Sequence, residues 1–130
     1  MKKPPTLQTI FNRVARHLLK QRKRSTLAKY PDTCAYRGAN GTRCAVGCLI
    51  RNKYYSPTFE GLGSINPSVR EALRKSFGFT NQPKETLPSD VAVLLCALQG
   101  LHDVDHPRNW RKGLTRIAHN FALLMPEAQR

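Results

Sequence analysis

The spacing of hydrophobic residues predicts four helices along the chain. In "TLQTIFNRVARHLLK", residues 6–20, apolar positions recur every three or four residues and leave basic residues on the opposite face. This is typical of an amphipathic helix that packs on a core, and Thr6 fits its N-cap. A second helix is predicted over about residues 67–77, because Asn66 is a favourable N-cap and Gly78 a favourable terminator.

Two more helices are predicted in the last third of the chain. Ser89 is placed to cap "DVAVLLCALQGLHDV", which is apolar on nearly every side and is therefore expected to be central. The last helix is predicted to open at Pro107, after Asp105, and to run to about Leu124.

Between the first two helices the pattern changes to short β-prone runs. "TCAYR" and "RCAV" flank "GANG", in which Asn40-Gly41 favours the positive φ angles of a tight turn. We therefore expect an α+β fold of about four helices with a small β-hairpin inserted after the first helix. The length fits a single domain over residues 1–130, with residues 1–5 flexible.

The chain is strongly basic. It has 22 Lys and Arg but only 8 Asp and Glu, a formal net charge of +14, and the first thirty residues contain no acidic residue. Because such a charge attracts polyanions, DNA, RNA or a nucleoprotein complex is the predicted partner. The candidate binding residues are Arg13, Arg16, Lys20, Arg22, Lys23, Arg24, Arg37, Arg108, Arg111 and Lys112.

No apolar run approaches the length of about 20 residues that crosses a bilayer. The sequence therefore predicts a cytoplasmic protein with no membrane partner.

Cysteine and histidine residues raise the question of metal binding or catalysis. Cys34, Cys44, Cys48, His102 and His106 are the candidates, but their spacing lacks the close cysteine pair of most structural zinc sites. In "LHDVDH", neighbouring His102 and Asp103 should point in different directions, so that the aspartate could not easily orient the histidine. We interpret the cysteines as buried thiols and predict no metal, no cofactor and no enzymatic activity.

Arg37 and Glu60 are polar residues within apolar or glycine-rich context. Two interpretations remain open. They form an ion pair that joins the hairpin to the following loop, or they line a pocket for an anionic ligand.

The stretch "CAYRGANGTRCAVGCLI", followed by "YYSPTFEG", "LHD" and "NW", resembles a family of small uncharacterised proteins encoded by phages and plasmids. The resemblance covers about residues 7–120. It includes Cys34, Cys44, Gly41 and Gly47, whereas the position of Cys48 can be alanine in the family, which argues against a zinc site that needs Cys48. The resemblance implies a phage or plasmid origin and, by analogy, action through binding. If a phage encodes the protein, its location is the host cytoplasm, and a nucleoprotein partner would be a host nucleoprotein complex.

Three functional hypotheses follow. The first is a small basic binding protein that engages nucleic acid or a ribonucleoprotein. The alternative is a protein-binding inhibitor of a host defence complex, of the anti-CRISPR or anti-restriction type. The third is a zinc protein or a Cys/His enzyme.

Overall fold

A computed structural model describes residues 3–63 and 66–126. Within these ranges the chain forms four α-helices and five short 3-10 turns. The helices are α1 (Leu7–Gln21), α2 (Pro67–Phe77), α3 (Ser89–Val104) and α4 (Trp110–Asn120). The 3-10 turns span Ala39–Gly41, Gly47–Leu49, Asn52–Tyr54, Pro57–Phe59 and Pro107–Asn109. The prediction that residues 1–5 are flexible falls in part on residues 1–2, which lie outside the described ranges.

Local capping explains where the first two helices begin and end. The Thr6 hydroxyl accepts a hydrogen bond from the Thr9 amide at 3.2 Å, and α1 starts directly after it. The Asn66 side chain accepts from the Ser68 amide at 2.9 Å, and Gly78, at φ 76°, ends α2. The predicted boundaries of both helices agree with the structure to within one residue.

The predicted caps of the later helices are different in the structure. Ser89 is already the first residue of α3, and Pro88 occupies the N-cap position without a side-chain hydrogen bond. His106, and not Asp105, caps the turn at Pro107 by accepting from the Arg108 amide at 3.1 Å. α4 then begins at Trp110, later than predicted.

The core lies where α1, α3 and α4 meet. α1 packs on both α3 and α4, and the fully buried Trp110 stacks on His102 with ring centroids 5.5 Å apart. α3 is less enclosed than the sequence predicts, because Val93 and Val104 are 58% and 77% exposed. One apolar cluster nevertheless joins all four helices.

The predicted β-hairpin is absent, so the α+β assignment is wrong and the described chain is helical. Asn40 and Gly41 do adopt positive φ angles of 59° and 74°. However, strand-like pairing within this turn is limited to one isolated bridge between Arg37 and Arg43. Longer strands do not form because the Tyr36 and Arg37 amides donate to the Glu60 carboxylate.

The residues after the turn also leave the extended conformation. Residues 47–49 wind into a 3-10 turn, which places Val46 and Leu49 in the core. The segment therefore buries the Val46 and Leu49 side chains in the core and does not form a second strand.

None of the described helices combines the length and the apolar character that a membrane crossing requires.

Candidate nucleic-acid interface

The segment 43–53 lies against α1 and is held there by hydrogen bonds to the Arg43 backbone. The Arg43 carbonyl accepts from His17 Nε2 at 2.8 Å and from Gln21 Nε2 at 3.0 Å. The Arg43 amide donates to Gln21 Oε1 at 2.9 Å. These hydrogen bonds hold the segment 43–53 in a fixed position against α1.

Two adjoining cavities lie along this junction. One has a volume of about 530 Å³ and the other about 550 Å³. They share three lining residues, Arg13, Leu49 and Arg51. Together they form a surface channel that we call the basic trough. Its cationic residues are Lys3, Arg13, Arg43, Arg51 and Lys53.

The charges of the basic trough are uncompensated within residues 3–63 and 66–126. No carboxylate of these residues lines either cavity, and none of the five cations forms an ion pair with one. Arg43 Nη2 instead donates a long hydrogen bond of 3.4 Å to Asn52 Oδ1. Five cations around two adjoining cavities, with no carboxylate among the described lining residues, make the trough a site of positive potential that favours an anionic ligand.

Of the residues predicted from the sequence, only Arg13 lines the trough. Arg16 and Lys20 are exposed on the same outer stripe of α1, three and seven positions further along the helix. Arg22 and Lys23 are also exposed, just beyond the end of α1. They extend the positive surface away from the trough.

Arg24 is engaged in the fold. Its guanidinium donates to the carbonyls of His102 at 3.3 Å, Val104 at 3.2 Å and Asp105 at 2.8 Å. These carbonyls lie at the C-terminal end of α3, where a cation is favourable. The structure therefore gives Arg24 a capping role, and we do not place it in the binding surface.

Arg108, Arg111 and Lys112 are exposed at the start of α4 and in the turn before it. None of them lines the trough. They form a separate basic surface.

Sequence reasoning missed most of the trough. Lys3, Arg43, Arg51 and Lys53 come from the N-terminal segment and from an irregular stretch, where no helical period marks a face. The one local signal was "RNK" at 51–53, two cations directly after the buried Leu49-Ile50 pair.

Arg37 and Glu60 do not form the ion pair that was one of the two interpretations. Glu60 accepts from the Tyr36 amide at 2.9 Å, the Arg37 amide at 3.1 Å and the Tyr55 hydroxyl at 2.5 Å. We call this arrangement the Glu60 bracket. Burial raises the pKa of the Tyr55 hydroxyl to about 12, and its hydrogen bond to Glu60 contributes to this rise.

The Arg37 side chain packs inward. Its Nη2 donates to the Ile50 carbonyl at 3.0 Å, and the guanidinium lies 4.2 Å from the Tyr55 ring centroid. Burial lowers the pKa of Arg37. Arg37 thus holds the backbone at Ile50, next to the trough, and it does not line the trough itself.

Of the five candidate metal ligands, the structure brings only Cys34 and His102 together, whereas Cys44, Cys48 and His106 have other contacts. Cys44 Sγ accepts from the Gly47 amide at 3.2 Å, Cys48 Sγ donates to the Ala45 carbonyl at 3.1 Å, and His106 caps a turn. Within the described ranges, the ligand atoms of Cys34, His102 and Asp103 do lie within 4.8 Å of one another.

The hydrogen bonds of His102 are unfavourable for a metal at that cluster. His102 is fully buried, and its Nε2 accepts from the Ser25 amide at 3.0 Å. Because an amide can only donate, the imidazole proton is on Nδ1, which donates to Asp103 Oδ1 at 2.8 Å. A metal at Nδ1 would have to displace the single imidazole proton and break the hydrogen bond to Asp103, which would leave an imidazolate.

The same geometry corrects the expectation that Asp103 could not orient His102. As in a catalytic triad, His102 lies between a serine, Ser25, and a carboxylate, Asp103. However, His102 Nε2 contacts the Ser25 backbone amide and not the Ser25 hydroxyl. Ser25 and His102 are both completely buried. A base without a free lone pair or access to substrate cannot activate a nucleophile.

The inner thiols are held in the protonated form. Burial raises the pKa of Cys34 to about 11 and the pKa of both Cys44 and Cys48 to about 12. Asp103 also contributes to the shift at Cys34. Since the thiolate is the reactive species, these cysteines are poor nucleophiles.

Comparison with known proteins found no matching family model, curated protein or solved structure.

Proposed function

We propose that the protein binds nucleic acid through the basic trough. The observation that carries this proposal is the pair of adjoining cavities lined by five Lys and Arg side chains and by no carboxylate of the described chain. Phosphate groups are the anions that such a surface recognises most generally, because each contact releases counterions and adds affinity. The resemblance to phage and plasmid proteins agrees with a binding role in the cytoplasm of a host cell.

The trough is better suited to backbone contacts than to reading of base edges. Arg13, Arg51 and Lys53 are exposed cations on long side chains, and Asn52 is the single amide side chain among the described lining residues. Phosphate contacts of this kind fix position and give no sequence information. The expected activity is therefore salt-dependent binding with little sequence preference.

The test compares two variants with the same net charge. The trough variant carries Arg13→Gln, Arg51→Gln and Lys53→Gln. The control variant carries Lys29→Gln, Lys84→Gln and Arg116→Gln at exposed sites outside the trough. Binding of a fluorescent oligonucleotide is measured by anisotropy as a function of salt.

The trough variant should lose affinity and reduce the slope of log K against log salt by about 2 to 3, since each phosphate contact contributes about 0.7 to 0.9. The control variant should change the slope far less. Equal losses in both variants would show that net charge, and not the trough, drives binding. If the protein instead captures a host protein that persists after nuclease treatment and binds no oligonucleotide, the inhibitor hypothesis replaces this proposal.

A further inference from the structure

The two halves of the trough are continuous. Arg13, Leu49 and Arg51 line both cavities, so these residues lie at the junction. Lys3 lines only one half, whereas Arg43 and Lys53 line only the other. Cations are thus distributed along the whole length of the channel and are not gathered at one point.

The cations also come from both walls. Arg13 projects from α1, and Arg43, Arg51 and Lys53 project from the segment opposite. The buried Leu49 and Ile50, which are only 5% and 1% exposed, form part of the floor between them. A ligand in the trough is therefore flanked by cations on two sides.

The dimensions suit a chain of nucleotides. A cavity of about 300 to 1,000 Å³ accommodates a molecule of the size of one nucleotide, and the trough consists of two adjoining cavities of this size. In a duplex, paired bases cover the inner side of each backbone, so that only the outer side of a phosphate is free. A single strand can enter a channel with two walls, because both sides of its backbone are accessible.

We propose that the basic trough is a site for one single strand of nucleic acid, which passes Lys53 and Arg43, then Arg51 and Arg13, and ends near Lys3. This inference rests on the function proposed above and makes it specific. The strand is held by its phosphates. The bases face away from the floor, since Phe77 is the only aromatic side chain among the described lining residues and it is buried.

The test measures affinity against strandedness and length at one low salt concentration. Oligothymidylates of two to about 12 nucleotides are compared with the matching oligoadenylates and with the duplex of the two longest strands. Because the two walls admit a single backbone and exclude a duplex, the single strands should bind at least about ten-fold more tightly than the duplex. Affinity should rise steeply over the first few nucleotides, and thymidylate and adenylate should differ by less than about three-fold.

A variant at the junction gives a second readout. Arg51→Gln removes a cation from both halves and should weaken the longer strands more than the dinucleotide, whereas Arg116→Gln on α4 should change neither. If the duplex binds as tightly as the single strand and Arg51→Gln weakens both, the trough is a nucleic-acid site but the single-strand proposal is wrong. If no oligonucleotide binds at low salt, both proposals fail.

Discussion

Replacement of Gly47 by alanine tests how closely the turn behind the trough is packed. A Cβ atom on Gly47 would lie 2.0 Å from the Tyr36 carbonyl oxygen and 2.7 Å from its carbon. Both are backbone atoms, so the clash cannot be relieved by a rotamer change. The Tyr36 amide also donates to Glu60, and movement of this residue strains the Glu60 bracket. We therefore expect Gly47→Ala to destabilise the protein.

The magnitude follows from two contributions. Overpacking of a filled site costs about 1 to 3 kcal/mol, and weakening of a hydrogen bond to a charged group costs about 1.5 to 3 kcal/mol. The free energy of unfolding should fall by about 3 kcal/mol. With a urea dependence of about 1.5 kcal/mol per molar, the midpoint of unfolding should shift down by about 2 M.

Gly100→Ala is the matched control. Gly100 lies within α3, and a Cβ atom there would have no neighbour within 4 Å. Since alanine favours a helix over glycine by about 1 kcal/mol, this variant should be more stable than the wild type. Urea unfolding followed by circular dichroism measures both. A Gly47→Ala variant within about 0.5 kcal/mol of the wild type would refute the packing described here.

Four further predictions concern groups outside the trough. Arg74 and the Glu85 amide hold the pKa of Glu71 at about 2, below its usual 4.5. Stability should therefore fall as the pH drops from about 4.5 towards 2, and pH-dependent unfolding should show a smaller fall for Glu71→Gln. Cys96 is the exposed thiol, so at about pH 8 a disulfide reagent should modify one thiol per chain rapidly, and none in Cys96→Ser. His102→Gln should cost about 3 kcal/mol in urea unfolding, and added zinc should leave the melting temperature of the wild type unchanged, whereas a rise would show a metal site.

The helices were predictable because their signals are local. Thr6 and Asn66 cap helices from within three residues, and the apolar stripe of α1 repeats at the helical period. Propensity, capping and burial agree there. The hairpin was predicted from a local signal, the Asn40-Gly41 turn. The prediction was wrong because contacts with a residue distant in sequence decide the conformation of this segment. Glu60, more than twenty residues away, takes the amides that a second strand would need.

The trough could not be predicted for the same reason. Its cations come from Lys3, Arg13 and the segment 43–53, which no sequence period relates. Arg24 was predicted as a binding residue because it lies in the N-terminal run of basic residues, but its guanidinium caps the C-terminal end of α3. Charge counting thus predicts a polyanionic partner, but it does not locate the surface that would bind it. A cation's role depends on which carbonyls and carboxylates the fold places beside it.

Amide chemical shifts during titration with a short oligonucleotide test the central claim most directly. If nucleic acid occupies the trough, the largest changes should fall on Arg13, Arg43, Arg51 and Lys53, while Arg111 at the start of α4 should change little. The changes should weaken as salt is added, because phosphate contacts carry the affinity. Shifts confined to the α4 surface, or no shifts at low salt, would contradict the account.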